Sequence, residues 1–320
     1  MSDIIENLNK KNISEDIRPI LFEKYIGQKD IKKNLEIAIS GVKKRGHQLD
    51  HILFYGPPGL GKTTISKIVA NELNVNIKVV TGTSIEKAGD IAKILMNLEE
   101  GDVLFIDEIH RIPKIAEEAI YSAMEDFQLH LNIENEEAIT TIKIDLPKFT
   151  LIGATTRAGM LTKPMRDRFG MVFRLKYYNI EELSTIIINA SKTLKIKITK
   201  DASKGMAERS RYTPRIALKF LKRIRDFADY HKKDKIDIKL MEDSFKALGV
   251  FEDGLDEIDL NYLKILNNSN KVLALKTISS KLNETIETIE DSIEPYLIEK
   301  NLIEKTARGR QITDLGKKSI

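Results

Sequence analysis

The 320-residue sequence contains no cysteine. That excludes disulfides, a cysteine nucleophile and any thiolate zinc site, and nothing points to an oxidising compartment. No apolar run approaches the ~20 residues needed to cross a bilayer. The acidic, mixed start Met1-Ser2-Asp3-Ile4-Ile5-Glu6 lacks the basic-then-apolar layout of a secretion signal. A soluble, cytoplasmic chain with no membrane partner is expected. Neither sign of charge dominates: 52 Lys and Arg against 48 Asp and Glu leave +4, too little to announce nucleic acid by itself. There is no internal repeat and no low-complexity linker. At 42% hydrophobic, the chain can bury a large core and is long enough for two or three domains.

What is present is organised around Gly56-Pro57-Pro58-Gly59-Leu60-Gly61-Lys62-Thr63-Thr64. This fits the phosphate-loop pattern Gly-x-x-x-x-Gly-Lys-Ser/Thr, with the apolar run Ile52–Tyr55 before it and an amphipathic helical stretch after it. Gly56, Gly59 and Gly61 let successive backbone N–H groups turn towards phosphate oxygens. Lys62 reaches the β- and γ-phosphates, Thr63 offers a hydroxyl to Mg²⁺, and Thr64 continues the helix whose positive end faces the anion. A plain glycine-rich turn is the alternative, but the four fixed positions arise by chance in only about one chain in a hundred of this size.

Apolar runs at Ile52–Tyr55, Ile77–Val80, Val103–Ile106, Leu151–Ala154 and Met171–Leu175 have the length of buried strands, and helical stretches separate most of them. The pattern predicts an α/β domain with a parallel sheet. Leu129, Leu131 and Ile133 alternate with polar residues, as do Ile142, Ile144 and Leu146, across the polar turn Glu134-Asn135-Glu136-Glu137, which predicts an inserted β-hairpin. From Asn179 the pattern is helical only. Asn179 and Glu182 form a capping signal, and Thr213-Pro214 starts another helix. Near Asp256 a third unit begins, with three helical segments and then two short strands around a glycine turn, the layout of a winged helix. The expected domains are 1–178, 179–249 and 250–320.

A phosphate loop holds nucleotide without hydrolysing it. Leu104-Phe105-Ile106-Asp107-Glu108 supplies the missing parts: an apolar strand delivers Asp107 to Mg²⁺, and Glu108 is placed to polarise a water aimed at the γ-phosphate. Thr155-Thr156-Arg157 ends the next strand, where a hydroxyl can sense the γ-phosphate or hold that water. Arg166 and Arg168 flank Asp167 and could be ordinary surface pairs. Arg215 sits in the first turn of its helix, facing the positive dipole end, and an anion there explains a cation in that position.

Taken together, Gly56–Thr64, Leu104–His110, Gly153–Arg157, Arg166–Gly170, Thr213–Arg215 and Ala307–Arg310 resemble the RuvB family of AAA+ motors, from about Ile17 to Thr313. The resemblance implies an AAA+ P-loop NTPase domain, a small helical lid and a winged-helix head. It implies ATP and Mg²⁺ as cofactors, hexameric rings on duplex DNA, branch migration of Holliday junctions, a RuvA-type partner and, beyond it, a RuvC-type resolvase. It also implies roles. Ile17 and Arg18 line the adenine site, with Tyr178 and Glu125-Asp126-Phe127 near the nucleotide. Thr156 is the first sensor, Arg215 the second, and Arg168 the finger reaching a neighbour's ATP. The hairpin at Gln128–Leu146 is the RuvA-docking element. The chain departs from the family at the acidic hairpin tip, at Tyr212 where glycine is usual, at Ala307 where proline is usual, and at Lys305 where arginine is common.

The rival readings are a replication initiator or clamp loader, a protein-remodelling chaperone and a non-catalytic scaffold. An initiator needs a recognition helix that is basic or amide-rich, whereas Glu284, Glu287, Asp291 and Glu294 lie at helical spacing in the corresponding segment. No aromatic pore loop suited to a chaperone is identifiable, and Glu108 argues against a scaffold. The third unit carries more acids than bases, but Lys305, Arg308, Arg310, Lys317 and Lys318 reverse the sign in its tail. Gly309 is expected to set Arg308 and Arg310 at a hairpin tip, with Lys305, Arg308 and Arg310 as DNA-contacting residues.

Overall fold

A computed structural model describes residues 17–135, 138–269 and 271–320, with the side chains of 131–141 excepted. The apolar runs become strands within a residue or two of their expected bounds. In chain order these are α1 (Lys29–Arg45), β1 (Ile52–Tyr55), α2 (Lys62–Leu73), β2 (Ile77–Thr81), α3 (Ala88–Met96), β3 (Val103–Asp107), α4 (Lys114–Glu125), β4 (Gln128–Asn135), β5 (Ala138–Asp145), β6 (Thr150–Thr155), α5 (Lys163–Asp167) and β7 (Met171–Arg174). The sheet order is β2-β3-β6-β1-β7, and its pairings are parallel. Strands β1, β3 and β6 are buried nearly throughout, as expected of a parallel sheet covered on both faces. A parallel sheet gathers the carboxyl ends of its strands on one edge, and that edge is where open α/β sheets bind ligands.

The predicted hairpin forms as β4 and β5, paired antiparallel from Gln128↔Asp145 to Asn135↔Ala138. Its base is anchored by buried Leu129 and Leu146 in the main core, while Glu136 and Glu137 of the acidic tip lie outside the described residues.

The chain divides into two compact units, 1–56 with 60–176, and 57–59 with 177–320. The second unit holds α6 (Ile180–Thr193), β8 (Lys197–Ile198), α7 (Lys200–Glu208), α8 (Pro214–Tyr230), β9 (Lys235–Ile236), α9 (Ile238–Ala247), α10 (Glu257–Ser269) and α11 (Leu275–Leu282). The Asn179 cap is present in full: its side chain accepts from the Glu182 N–H at 2.8 Å and Glu182 accepts from the Asn179 N–H at 3.1 Å. β8 and β9 are a two-residue parallel pair that escapes any periodicity argument. After α11 come the helical segments Ile286–Thr288, Ile289–Ile293 (a π-turn) and Glu294–Glu299, then the antiparallel strands β10 (Ile303–Thr306) and β11 (Gly309–Ile312). That succession is the expected winged helix, with its own core around Tyr262, Leu263, Ile289 and Leu297. Among the described residues no helix is long and apolar enough to cross a membrane.

Candidate ATPase site and wing

The phosphate loop leaves β1 at the carboxyl edge. Gly56 N–H donates to the Thr155 carbonyl at 3.2 Å, tying the loop to the end of β6. A Cβ on Gly56 would stand 2.8 Å from the Leu175 carbonyl oxygen, and Gly59 and Gly61 have φ of 83° and 96°, so side chains at these positions meet either backbone or strain. The result is a backbone cradle at the start of α2. Lys62 is buried at 7% exposure and donates from Nζ to the Gly56 carbonyl at 2.8 Å, which folds the ammonium over the cradle. A polyphosphate fits this arrangement: inward-turned amides, a helix N-terminus and a cation held within the loop. Thr63 and Thr64 follow in the first turn of α2.

Asp107 ends β3 on the same edge, and its carboxylate accepts from the Glu108 N–H at 3.1 Å. Glu108 adopts a left-handed φ of 49°, which turns it out of the strand direction. Its carboxylate accepts from the Thr156 hydroxyl at 3.2 Å and N–H at 3.4 Å, and lies 3.2 Å from His110 Nδ1. His110 in turn lies 2.8 Å from the Thr155 hydroxyl. The structure therefore brings Lys62, Asp107, Glu108 and Thr156 to one edge, as expected, and adds His110 and Thr155, to which no role was assigned from sequence. A histidine two residues past an acid gave no signal, because it depends on the left-handed Glu108 turning back upon it.

Ile17 and Arg18 open the described chain. The segment that follows lies along the end of α2, where Asn71 donates to the Ile20 carbonyl at 3.2 Å and Phe22 N–H donates to Glu72 at 3.2 Å. In the second unit, the Arg215 N–H donates to the Gly59 carbonyl at 3.4 Å, so α8 begins against the middle of the phosphate loop. The Arg215 side chain is exposed. Buried Tyr178 donates its N–H to the Tyr212 carbonyl at 3.0 Å, next to the same turn.

Glu125, Asp126 and Phe127, expected near the nucleotide, lie at the amino edge of the sheet, opposite the phosphate loop of the same chain. Phe127 packs 6.3 Å from the ring of His51, the residue preceding β1. His51 accepts the Leu151 N–H at Nδ1 (2.9 Å), which leaves its proton on Nε2 to donate to the Met124 carbonyl at 3.0 Å. Burial holds this imidazole's pKa below its ordinary value. Arg168 is on the same edge, just before β7. It donates to Glu125 at 2.7 Å and to the Pro164 carbonyl at 3.0 Å, and its guanidinium lies 4.6 Å from the centre of the Tyr121 ring. Beneath it, Tyr121 donates to Glu117 at 2.6 Å, and Thr162 bonds to both. Burial and the Glu117 bond raise the Tyr121 pKa. The four residues of β1 span ~13 Å, which sets Arg168 at the far edge of the sheet from the phosphate loop of the same chain.

The wing corrects the expected placement of Arg310. The turn is Ala307-Arg308, with Gly309 already in β11, and only Arg308 stands at the tip. Arg310 points inward and is 7% exposed. It donates to both carboxylate oxygens of Glu294 at 2.8 and 3.0 Å and to Glu290 at 3.1 Å, and these bonds raise its pKa. Tyr262 donates to the same Glu294 at 2.8 Å, while Lys305 pairs with Glu290 at 3.2 Å. Two acids of the supposedly DNA-averse helix are thus partners of the wing itself. Arg310 therefore serves structure: its Nε and Nη2 hydrogens are committed to Glu290 and Glu294. Removing one member of a buried pair strands the other, at a typical cost of ~3–5 kcal/mol. Arg310→Ala should lower the urea midpoint of the second unit accordingly, with the slope unchanged; a midpoint within error of the parent would show that Glu294 is not held as described.

Three adjoining stretches match established domain families: residues 17–175 the Holliday junction DNA helicase RuvB P-loop domain, 178–251 the RuvB AAA lid domain and 252–320 the RuvB C-terminal winged helix domain. The Holliday junction branch migration complex subunit RuvB of Campylobacter fetus subsp. fetus is 56% identical over 294 residues, covering 92% of this chain and 86% of its own. Its counterpart in Nitratiruptor sp. is 55% identical, covering 93% and 89%. The solved Thermotoga maritima RuvB Holliday junction branch migration motor superposes with a TM-score of 0.87 at 41% identity, over 95% of this chain and 98% of that one. With all three domains matched in order and relatives this similar along nearly its whole length, the chain belongs to the RuvB family of P-loop ATPase motors.

Proposed function

We propose that this protein is the ATP-driven motor of a branch-migration complex: a cytoplasmic hexameric ring that translocates duplex DNA at Holliday junctions beside a RuvA-type partner docked on the β4–β5 hairpin, with a RuvC-type resolvase downstream. The observation that carries the ring is the separation of Arg168 from Lys62 across the sheet. An arginine at the amino edge completes an active site only when another subunit presents its carboxyl edge. Glu125, Asp126 and Phe127 then approach a neighbour's nucleotide alongside Arg168.

In this reading residues 1–178 bind and hydrolyse ATP, 179–249 carry the second sensor and 250–320 meet DNA. Ile17, Arg18 and Tyr178 surround the base, and Gly59, Gly61, Lys62 and Thr64 hold the phosphates. Thr63 and Asp107 are the residues that would hold Mg²⁺, which would supply positive charge against the charge that builds on the transferring phosphoryl group. Glu108 orients the attacking water and accepts its proton. Thr156 fixes the Glu108 carboxylate through the hydroxyl bond described above, and Arg215 approaches the γ-phosphate.

ATP hydrolysis measured alone, with duplex, and with a four-way junction plus a RuvA-type protein tests the reading. Turnover should rise at each addition, and equal rates in all three would overturn it. The wing has its own test. Arg308 is exposed at the turn and has no ion pair among the described residues, whereas Lys305 is exposed but engaged with Glu290. Phosphate contacts carry no base information, and each contributes about 0.9 to the log–log salt slope. Arg308→Ala should weaken binding alike for unrelated duplexes and flatten the slope by about one per lost contact. Unchanged binding at every salt concentration would exclude the contact.

A further inference from the structure

Arg215 and the winged helix belong to the same compact unit, and two residues join them. Arg211 and Tyr212, immediately before the Thr213-Pro214-Arg215 turn, both have left-handed backbones, with φ of 48° and 57°. Non-glycine residues seldom adopt that conformation singly, and a consecutive pair persists only where the surroundings over-determine it.

The surroundings here come from the winged-helix domain. Arg211 donates from Nε to the Gly254 carbonyl at 2.9 Å and from Nη2 to Asp256 at 2.8 Å and to Asp259, which is 1% exposed. At the start of α10 the Asp256 N–H donates to the Asp259 carboxylate and the Asp259 N–H to the Asp256 carboxylate, so the guanidinium is bolted to the first turn of the domain's first helix. Tyr212 packs against the winged-helix core, with its ring 5.9 Å from that of Tyr296 and 6.1 Å from that of Tyr177. Lys300 lies 5.9 Å above the same ring.

On the other side of the pair, the backbone leads directly to the nucleotide-binding loop. The Tyr212 carbonyl accepts the Tyr178 N–H, Thr213 N–H donates to the Ser210 carbonyl at 3.0 Å, and two residues later Arg215 N–H meets the Gly59 carbonyl. A Cβ on Gly59 would be 3.2 Å from the Arg215 Cβ and 3.4 Å from the Thr213 Cβ, so the loop has little room to shift without moving this turn. Every step from Asp259 to Gly59 is therefore a hydrogen bond, a ring contact or one or two peptide units.

We propose that Arg211 and Tyr212 are positioning residues through which the winged-helix domain fixes the first turn of α8, and with it Arg215, so that duplex held by the wing alters ATP turnover. The proposal rests on the reading of Arg215 as the second sensor. Thr213, the N-cap of α8, makes no side-chain cap bond to the helix; its hydroxyl turns back to the Ser210 carbonyl. The left-handed pair has no intrinsic preference for its conformation. Without the ring contact and the bolted guanidinium, the turn is free to relax.

The test uses the full-length protein and reads the ratio of duplex-stimulated to DNA-free kcat, beside duplex affinity. Tyr212→Gly suits the backbone but removes the ring; Tyr296→Leu removes the partner ring, which also lies 5.3 Å from the Arg211 guanidinium, while leaving the sequence of the turn unchanged. Each should lower the ratio by about 2- to 30-fold, the range for substitutions along a coupling network. Duplex affinity should stay at the parental value, and the double variant should be no worse than the more severe single. Tyr212→Phe, which keeps the ring, should retain the parental ratio. A parental ratio in either Tyr212→Gly or Tyr296→Leu overturns the link, as does a fall that tracks lost duplex affinity. If Tyr212→Gly fails to fold, Tyr296→Leu reports the same contact from the other domain. Arg215→Ala separates the two levels. If it leaves hydrolysis unchanged, the sensor reading falls; if it lowers hydrolysis while both ring variants keep the parental ratio, only the link falls.

Discussion

Glu108→Gln should retain ATP binding and lose about 10²–10⁴-fold in turnover, whereas Lys62→Ala should lose binding itself. The first figure is what a positioned general base contributes. The two residues differ in what surrounds them. Lys62 is buried inside the loop with its ammonium on the Gly56 carbonyl, so its truncation removes a cation held within the cradle and leaves space where a phosphate was to be held. Glu108 lies outside the cradle, turned by its left-handed backbone onto Thr156 and His110. Glutamine has the same size and still accepts from the Thr156 hydroxyl, so geometry survives while proton acceptance is lost. Equilibrium binding of a fluorescent ATP analogue and single-turnover hydrolysis separate the two effects. Equal loss of nucleotide affinity in both variants would remove Glu108 from the role of base.

Arg168→Ala should bind ATP and hydrolyse it about 10³–10⁵-fold more slowly, the contribution of an arginine finger in well-studied NTPases. The placement of Arg168 at the amino edge makes a sharper claim than the rate alone. Mixing Arg168→Ala with Lys62→Ala should restore part of the activity, because a Lys62→Ala subunit still presents Arg168 to a neighbour whose own pocket is intact. Two dead variants that recover on mixing identify a site shared between chains. No recovery in rings of verified mixed composition would mean that Arg168 acts in its own subunit or only braces Glu125 and Tyr121. The Glu125 pair also needs separating from catalysis. Glu125→Gln, which keeps the side-chain shape, should leave assembly intact and alter turnover far less than Arg168→Ala.

The sheet was legible because each buried strand is a short run of apolar residues between helical periods, and the phosphate loop because three glycines and a lysine at fixed spacing serve one geometric purpose. The hairpin announced itself through alternation at Leu129, Leu131 and Ile133. Local chemistry also carried the caps: Asn179 and Glu182 meet each other without help from the rest of the fold. What stayed hidden depends on partners far along the chain. Arg310 reads as a tip residue until Glu290 and Glu294, 16 to 20 positions earlier, are brought against it. The pairing of Glu125, at the end of α4, with Arg168, 43 positions away, is likewise invisible in the sequence.

The inward turn of Arg310 also bears on how firmly DNA is held. Of the five cations in the tail, Arg310 and Lys305 are committed to Glu290 and Glu294, and Lys317 lies 3.1 Å from Asp314. Among the described residues Arg308 and Lys318 have no ion pair, so in the reading proposed above a single wing is expected to hold duplex weakly. In the ring proposed above, such weak ligands act multivalently: with several wings on one duplex, release of any single wing is followed by recapture at high local concentration. The assembly then holds DNA with an avidity that no subunit possesses, while each subunit remains free to let go and advance. A wing with Arg310 exposed would grip harder and step more slowly.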